Sequence, residues 1–421
     1  MPITRKRGNK RMKILMVNKF HYIKGGSETY YFALKRLLTE NGHEVIDFSM
    51  QDDRNFDSPY AEYFVPNVDY AAMSGVGAKI KSAANIVYSR DAKRRFEALV
   101  RQTRPDVVHL HIFQHQISPS ILDVIKKYDI PTVYTAHDLK MLCLNYKMMA
   151  HGQLCERCKG GKYYECLKHK CVKDSYAKSA VNVVEGYLHK WRHSYDAIDV
   201  VLTPSRFYLD KFLSFGIRQG RVHHLPNFLG TRSAVATVLP GAGQYYLYFG
   251  RLSEEKGILT LLRAVEGTGL PLYIVGTGPL EEEVRAYVRE HGMDTVTLWG
   301  YRSGQELTDL VGNAKAVVLP SEWYENGPYS AIEALQLGRP ILGAAIGGIP
   351  ELVRDNGLLF ESGNAADLRE KLLAFEQTDA DAYNAYCRAS AALFDEVYSA
   401  EAHYPQLMRY YEQAMRAHEV H

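Results

Sequence analysis

A chain of 421 residues, 46% apolar and 24% charged, is long enough for two domains with separate cores, and it carries no low-complexity tract or short internal repeat. Its longest apolar runs, such as Ala316–Pro320, are strand-sized, which excludes a membrane-spanning helix. Formal net charge is only +3, yet residues 1–228 hold 36 Lys/Arg against 22 Asp/Glu, whereas residues 229–421 hold 15 against 26.

The basic stretch Met1–Arg11 leads into a short apolar run, Met12–Asn18, so no secretory leader is expected and Met12 is an alternative start. The run itself predicts a buried first strand, Ile14–Val17. Next comes Lys24-Gly-Gly-Ser-Glu-Thr29, opening a helix over Glu28–Glu40 with Tyr31, Leu34, Leu37 and Leu38 on one face and Asn41-Gly42 closing it. The paired glycines Gly25 and Gly26 permit close backbone approach to a ligand at a helix N-terminus, although such turns are common. Further strands are predicted at Val45–Ser49, Val107–His111, Thr132–Thr135 and Val200–Leu202. After a break they continue at Tyr245–Phe249, Leu272–Val275, Val296–Leu298, Ala316–Leu319 and Ile341–Gly343. Ten strands alternating with helices predict two doubly wound parallel-sheet domains, with ligand beyond the carboxyl ends of the strands and in the cleft between. The boundary is expected near Asn227–Gln244, giving domains at 12–228 and 229–403. A last helix, 404–417, is expected to pack back on the first domain.

Between the fourth and fifth strands lie Cys143, Cys155, Cys158, Cys166 and Cys171, within an insert at 143–171. The C-x2-C pair followed by two more thiols predicts structural zinc on Cys155, Cys158, Cys166 and Cys171; reduced thiols are the alternative. His109 and His111, in the third strand, are expected to face opposite ways, at least one of them structural.

In the second half, Tyr248-Phe-Gly-Arg-Leu-Ser-Glu-Glu-Lys-Gly257 puts Arg251 and Lys256 where a strand becomes a helix, which suits a diphosphate. Surface cations are the plainer reading. Gly276-Thr-Gly278 lacks the third glycine of a dinucleotide fingerprint, Glu281 standing in its place, and Pro279 fits a first helical position. A nicotinamide enzyme therefore falls behind. The stretch Ser321-Glu-Trp-Tyr-Glu-Asn-Gly-Pro-Tyr-Ser330 is a loop leading into a helix at Tyr329–Leu337. Glu325 precedes the helix N-terminus near Tyr329 and Ser330, and Glu333 lies inside the helix. Two carboxylates flanking an anion site suit a ligand with a diphosphate in the middle and a hydroxylated ring at each end, as in a nucleotide sugar.

These residues carry a resemblance. Glu325-x7-Glu333, then Gly338-x-Pro340 and Gly347-Gly348-Ile-Pro-Glu351, together with Gly25-Gly26, Val108-His-Leu-His111, Thr135-Ala-His-Asp138, Leu225-Pro-Asn-Phe228, Phe249-Gly-Arg251, Lys256-Gly257 and Asn356-Gly-Leu-Leu-Phe360, resemble a retaining glycosyltransferase of the GT-B fold, family 4 type. The resemblance covers nearly the whole chain. It implies two Rossmann-like domains facing a cleft and transfer of a sugar from a nucleotide-diphosphate donor to a saccharide or lipid-linked acceptor, in cell-surface polysaccharide or glycolipid synthesis. It also implies that Glu325 meets the sugar hydroxyls, Glu333 the ribose, Arg251 and Lys256 the diphosphate, and Gly25-Gly26 the donor phosphate. His137 then lies close to the transferred sugar; a core histidine is the alternative. Asn326, Gly327, Tyr329 and Ser330 complete the donor-binding set. No catalytic metal is implied, in keeping with the lack of an Asp-x-Asp at a strand end. The family often has Glu-Gly-Phe-Gly where this chain has Glu325-Asn-Gly-Pro328, and Pro328 has no N–H to offer, so altered donor choice is expected. The basic first half suits a cytoplasmic enzyme resting on an anionic membrane face, with no nucleic-acid partner expected; a scattered solvated surface is the alternative. Two other readings are a catalytically silent GT-B binding protein and a sugar-nucleotide epimerase of the same fold.

Overall fold

The computed structural model describes residues 11–67, 76–230 and 243–419. Fourteen strands occur among them. In the first half these are β1 Lys13–Val17, β2 Glu44–Phe48, β3 Val107–Leu110, β4 Thr132–Thr135, β5 Met149–Ala150, β6 Gln153–Leu154, β7 Val200–Thr203 and β8 Val222–His224. In the second half they are β9 Tyr246–Phe249, β10 Leu272–Val275, β11 Val296–Gly300, β12 Ala316–Leu319, β13 Ile341–Ala344 and β14 Gly357–Phe360. All ten anticipated strands are present. Apart from the small antiparallel hairpin β5–β6, they form two six-stranded parallel sheets, ordered β2-β1-β3-β4-β7-β8 and β11-β10-β9-β12-β13-β14. The expected boundary, 227–244, falls largely on 231–242, outside the described residues.

Helices cover both faces of each sheet, so alternate residues of one strand enter different cores. In β1, Leu15 and Val17 pack with Ile46, Phe48 and Phe96, whereas Ile14 and Met16 pack with Tyr30, Tyr31 and Leu34 of the helix Gly26–Glu40. Burial of each such side chain stabilises by roughly 1.5–3 kcal/mol, which is why these strands read as unbroken apolar runs. The helix Ala400–Arg416 adds Leu407, Met408, Tyr411 and Ala414 to the same core as Ile14 and Met16. The C-terminal segment thus completes the first domain after the chain has built the second.

Strand order reverses between β1 and β3 in one sheet and between β9 and β12 in the other. At such a switch point the connections leave in opposite directions and open a crevice beyond the strand ends. Gly25-Gly26 and His111 follow the first pair; Arg251 and the loop holding Glu325 follow the second.

Candidate functional site

Glu325 sits in the loop after β12 and is only 4% exposed. Its Oε1 accepts from Lys256 Nζ at 2.5 Å and from Ser321 Oγ at 2.7 Å. The loop is held by close backbone packing. Gly347 has φ +58°, and a Cβ there would lie 2.5 Å from both the backbone N and O of Glu325. Its neighbour Gly348 donates its N–H to Glu325 O at 2.7 Å. On the other side Gly257, φ +66°, turns the chain against β12 so tightly that a Cβ would lie 1.8 Å from Pro320 O. The two Gly-Gly and Lys-Gly motifs therefore fix the position of one carboxylate and its lysine.

Lys256 ends the short 3-10 turn Glu254–Lys256 and also lies 5.3 Å from the Trp323 ring centroid. With one ammonium donor on Glu325, two N–H groups stay available to an anion. Arg251, at the exit of β9, is exposed and has no side-chain partner among the described residues. The glycines after β10 serve packing instead. A Cβ at Gly276 would lie 1.9 Å from Gly250 O, and one at Gly278 would lie 2.2 Å from Leu252 O, so both let this turn pack on the Arg251 loop. The following helix begins at Glu281 rather than at Pro279, which sits in the preceding turn, because Glu281 N bonds back to Gly278 O at 3.1 Å.

Asn326, Gly327 and Tyr329 reach across to the first domain. Asn326 Nδ2 donates to Ala136 O at 2.9 Å and His137 O at 3.3 Å, while its Oδ1 accepts from Ser205 Oγ at 3.0 Å. Asn227 Nδ2 donates to Gly327 O at 3.0 Å, and Tyr329 Oη donates to Phe228 O at 3.2 Å. The Tyr329 ring packs on Gly26, where a Cβ would stand 3.1 Å from Cδ2. Ser330 is half-buried in the first turn of the same helix, Tyr329–Gln336. Glu333 lies further along it; burial pushes its carboxyl up to about 7.

The histidines at the end of β3 correct the sequence expectation. His109 and His111 stack with ring centroids 4.4 Å apart, since residues two apart on a strand share a face. His109 is tied to Tyr411 Oη at 2.7 Å and Thr135 Oγ1 at 2.8 Å. His111 Nδ1 meets His137 Nε2 at 3.1 Å, and Tyr30 lies edge-on to the His137 ring at 5.1 Å. Burial lowers His137 to about 3, so its imidazole is neutral at physiological pH and acts as a hydrogen-bonding group.

The five insert cysteines line one small pocket. Cys143 Sγ donates to Asn145 Oδ1 at 2.9 Å, the free thiol of Cys166 donates a hydrogen bond to Cys171, and burial raises Cys158 to about 12. Among the described residues no group of three or more His, Cys, Asp or Glu side chains is arranged to hold a metal ion. As placed, Cys155, Cys158, Cys166 and Cys171 form a thiol cluster, and the zinc expectation gains no support from it.

Two acids escaped the sequence reading in part. Glu28, 3% exposed in the first turn after Gly25-Gly26, accepts from Asn18 Nδ2 at 3.3 Å and Ser27 Oγ at 3.0 Å. Burial raises its carboxyl. Glu351, known only as the end of a motif, accepts from the backbone N–H of Arg206 and Phe207, each at 2.9 Å, and so caps the helix Arg206–Ser214 of the other domain. An acid in the first turn of the first helix and a Glu closing Gly-Gly-Ile-Pro were the available signals.

Residues 24–232 match the family model "Glycosyltransferase Family 4" and residues 233–391 match "Glycosyl transferases group 1". The amylovoran biosynthesis glycosyltransferase AmsK of Erwinia amylovora is 30% identical over 148 residues, 32% of this chain and 36% of that protein. Three other curated relatives are matched over between 36% and 40% of their own length. Sucrose-phosphate synthase of Thermosynechococcus elongatus superposes with TM-score 0.70 at 19% identity, covering 97% of this chain and all of that one (100%). Anabaena HepE, solved with UDP and glucose, superposes with TM-score 0.62 at 15% identity, covering 95% and 99%. Both likenesses concern the GT-B fold.

Proposed function

From a chain that joins a family 4 glycosyltransferase domain to a group 1 glycosyltransferase domain in the GT-B fold, we propose a retaining enzyme that moves a sugar from a nucleoside-diphosphate sugar to a saccharide acceptor in polysaccharide synthesis. The carrying observation is the buried Glu325 in the loop after β12, fixed on one oxygen by Lys256 and Ser321, with Arg251, which has no side-chain partner among the described residues, at the exit of the neighbouring β9. The other oxygen of Glu325 is left for sugar hydroxyls. Glu333 takes the ribose. Arg251 and the remaining donors of Lys256 hold the diphosphate and stabilise the charge that grows as the anomeric carbon–oxygen bond breaks. In the retaining course the acceptor oxygen bonds to the anomeric carbon on the face the phosphate leaves, and its proton passes to the departing phosphate oxygen. Neutral His137 donates or accepts a hydrogen bond at the sugar without becoming a cation. In this scheme the two cations supply the electrostatic role without a catalytic metal.

The names of AmsK and HepE support a polysaccharide setting and a uridine nucleotide, respectively. A thermal-shift screen over UDP-, GDP- and ADP-sugars tests the donor site: one series should raise the melting temperature of the wild type and fail with Glu325→Ala. No shift with any of them overturns the assignment. Transfer assays with and without acceptor separate this reading from an epimerase, which would isomerise the donor alone, and from a silent binder, which would turn over nothing. Structural zinc in the insert, cytoplasmic location and a lipid-linked acceptor are carried as further proposals; metal analysis of chelator-free protein decides the first.

A further inference from the structure

The helix Tyr176–Trp191 turns its polar side inward. Ser179, Asn182, Glu185 and His189 recur on one face and are buried. Each makes a hydrogen bond there. Ser179 Oγ accepts from Val172 N at 3.1 Å, and Asn182 Oδ1 and Glu185 Oε2 accept from Lys140 Nζ at 2.7 and 3.0 Å. His189 bridges Ser194 Oγ and Val87 O at 2.9 and 2.8 Å. The opposite face carries Tyr176, Val184, Tyr187 and Trp191, which are 59%, 56%, 39% and 77% exposed. Tyr164, from the Cys-rich insert, extends the patch, its N–H donating to Tyr187 Oη at 3.3 Å. These are five of the eleven large hydrophobic side chains exposed among the described residues. A helix of a water-soluble domain normally faces its apolar stripe to the core, so this stripe calls for a cover.

Charge selects the cover. Residues 159–192 hold eight Lys/Arg against three Asp/Glu, and one of the three, Glu185, is buried against Lys140. Lys170 Nζ lies 4.6 Å from the Tyr176 ring centroid. A second copy of this chain would set two like-charged patches together, whereas an anionic bilayer offers the opposite sign. Tyr and Trp with an apolar body and a polar edge, flanked by cations, suit the headgroup layer.

We propose that the outer face of the helix Tyr176–Trp191, with Tyr164, docks on the surface of an anionic lipid bilayer. Such docking goes beyond the transfer reaction and does not depend on it. The docked helix is tied to the site through Lys140: its side chain holds Asn182 and Glu185, and its backbone N–H donates to Asp138 Oδ1 at 2.9 Å, next to His137.

Cosedimentation of the full chain tests this, using vesicles of equal parts phosphatidylglycerol and phosphatidylcholine against phosphatidylcholine alone. The wild type should bind the anionic vesicles, less so as salt rises. The variant Tyr176→Ser/Trp191→Ser should bind roughly tenfold or more weakly with an unchanged melting temperature, since both side chains are more than half exposed. As a second variant, Lys170→Glu/Lys190→Glu keeps the aromatic stripe and should lose binding at least about fivefold on anionic vesicles. Failure of the wild type to bind anionic vesicles, or binding that the aromatic variant leaves intact, overturns the proposal. So does a concentration-dependent dimer in sedimentation velocity that the aromatic variant abolishes, which would assign the face to a second copy.

Discussion

Glu325 has one carboxylate oxygen committed to Lys256 and Ser321 and the other uncommitted, an arrangement in which stability and chemistry pull on different residues. Lys256→Met leaves a buried carboxylate with a hydroxyl as its only partner, and should cost about 2–4 kcal/mol in urea unfolding. Glu325→Gln keeps a hydrogen-bonding group of the same shape and should cost about 1 kcal/mol. Combining the two removes both charges, so the double variant should be more stable than Lys256→Met alone. All three should lose transfer by about a hundredfold or more, because the cation and the sugar-binding oxygen act on the reacting centre. Recovery of activity in the double variant would show that the pair is only structural. Glu333 shows a second conflict. Its carboxyl is raised from 4.5 to about 7 by burial. The folded chain therefore holds more protons than the unfolded chain between those values, and stability falls as pH rises through that window. Glu333→Gln should be neutral near pH 4.5 and stabilise the ligand-free protein by roughly 1–2 kcal/mol above pH 7. Nucleotide binding runs the other way. The ionised carboxylate accepts from ribose hydroxyls, so affinity for the nucleotide chosen by the thermal-shift screen should rise several-fold from about pH 6 to about pH 8. The Gln variant should show a flat profile in the same calorimetric titration.

At the scale of elements, the turn after β13 decides where the Glu325 loop lies. Gly347→Ala would combine a left-handed backbone with a Cβ 2.5 Å from the Glu325 backbone. The expected loss is about 2–3 kcal/mol, together with weaker donor binding as Glu325 is displaced from Lys256. An unchanged donor Kd would mean that the loop finds its position without the glycine. This contact joins residues more than twenty apart, and no spacing rule announces it. The same limit explains what the sequence could and could not supply. Most of the ten strands were legible because a strand buried on both faces must be apolar throughout. The edge strands β8 and β14 were missed: Val222-His-His224 has a single apolar residue, and most of Gly357–Phe360 is only half-buried. The His109–His111 pair was misread, although strand period alone places both rings on one face. The cysteine spacing led to a zinc expectation, but spacing carries no information on whether the sulfurs surround a common centre.

Over the whole molecule, the residues expected to bind donor also hold the two domains together. Asn326 bonds to Ala136, His137 and Ser205; Tyr329 reaches Phe228; and Glu351 caps a helix of the opposite domain. Lys147 adds a cross-domain ion pair with Glu255 at 3.1 Å. A cleft closed by such contacts excludes water from the phosphate and brings His137 towards the Glu325 loop. It must also open for donor to enter. Asn326 is then both a lining residue and a latch, because its two hydrogen-bonding ends are used on the first domain. The pair of substitutions Asn326→Ala and Glu351→Gln should shift the population towards an open form. The free double variant should show a larger radius of gyration by small-angle scattering. Its nucleotide Kd should stay within about threefold of wild type, since Arg251, Lys256 and Glu333 all belong to the second domain. Its kcat/KM should fall by about tenfold or more, because transfer needs His137 and the acceptor side in place at the same moment. Equal losses in nucleotide Kd and kcat/KM would instead make Asn326 a donor contact first and a latch second, and an unchanged radius with unchanged kcat/KM would remove the latch altogether.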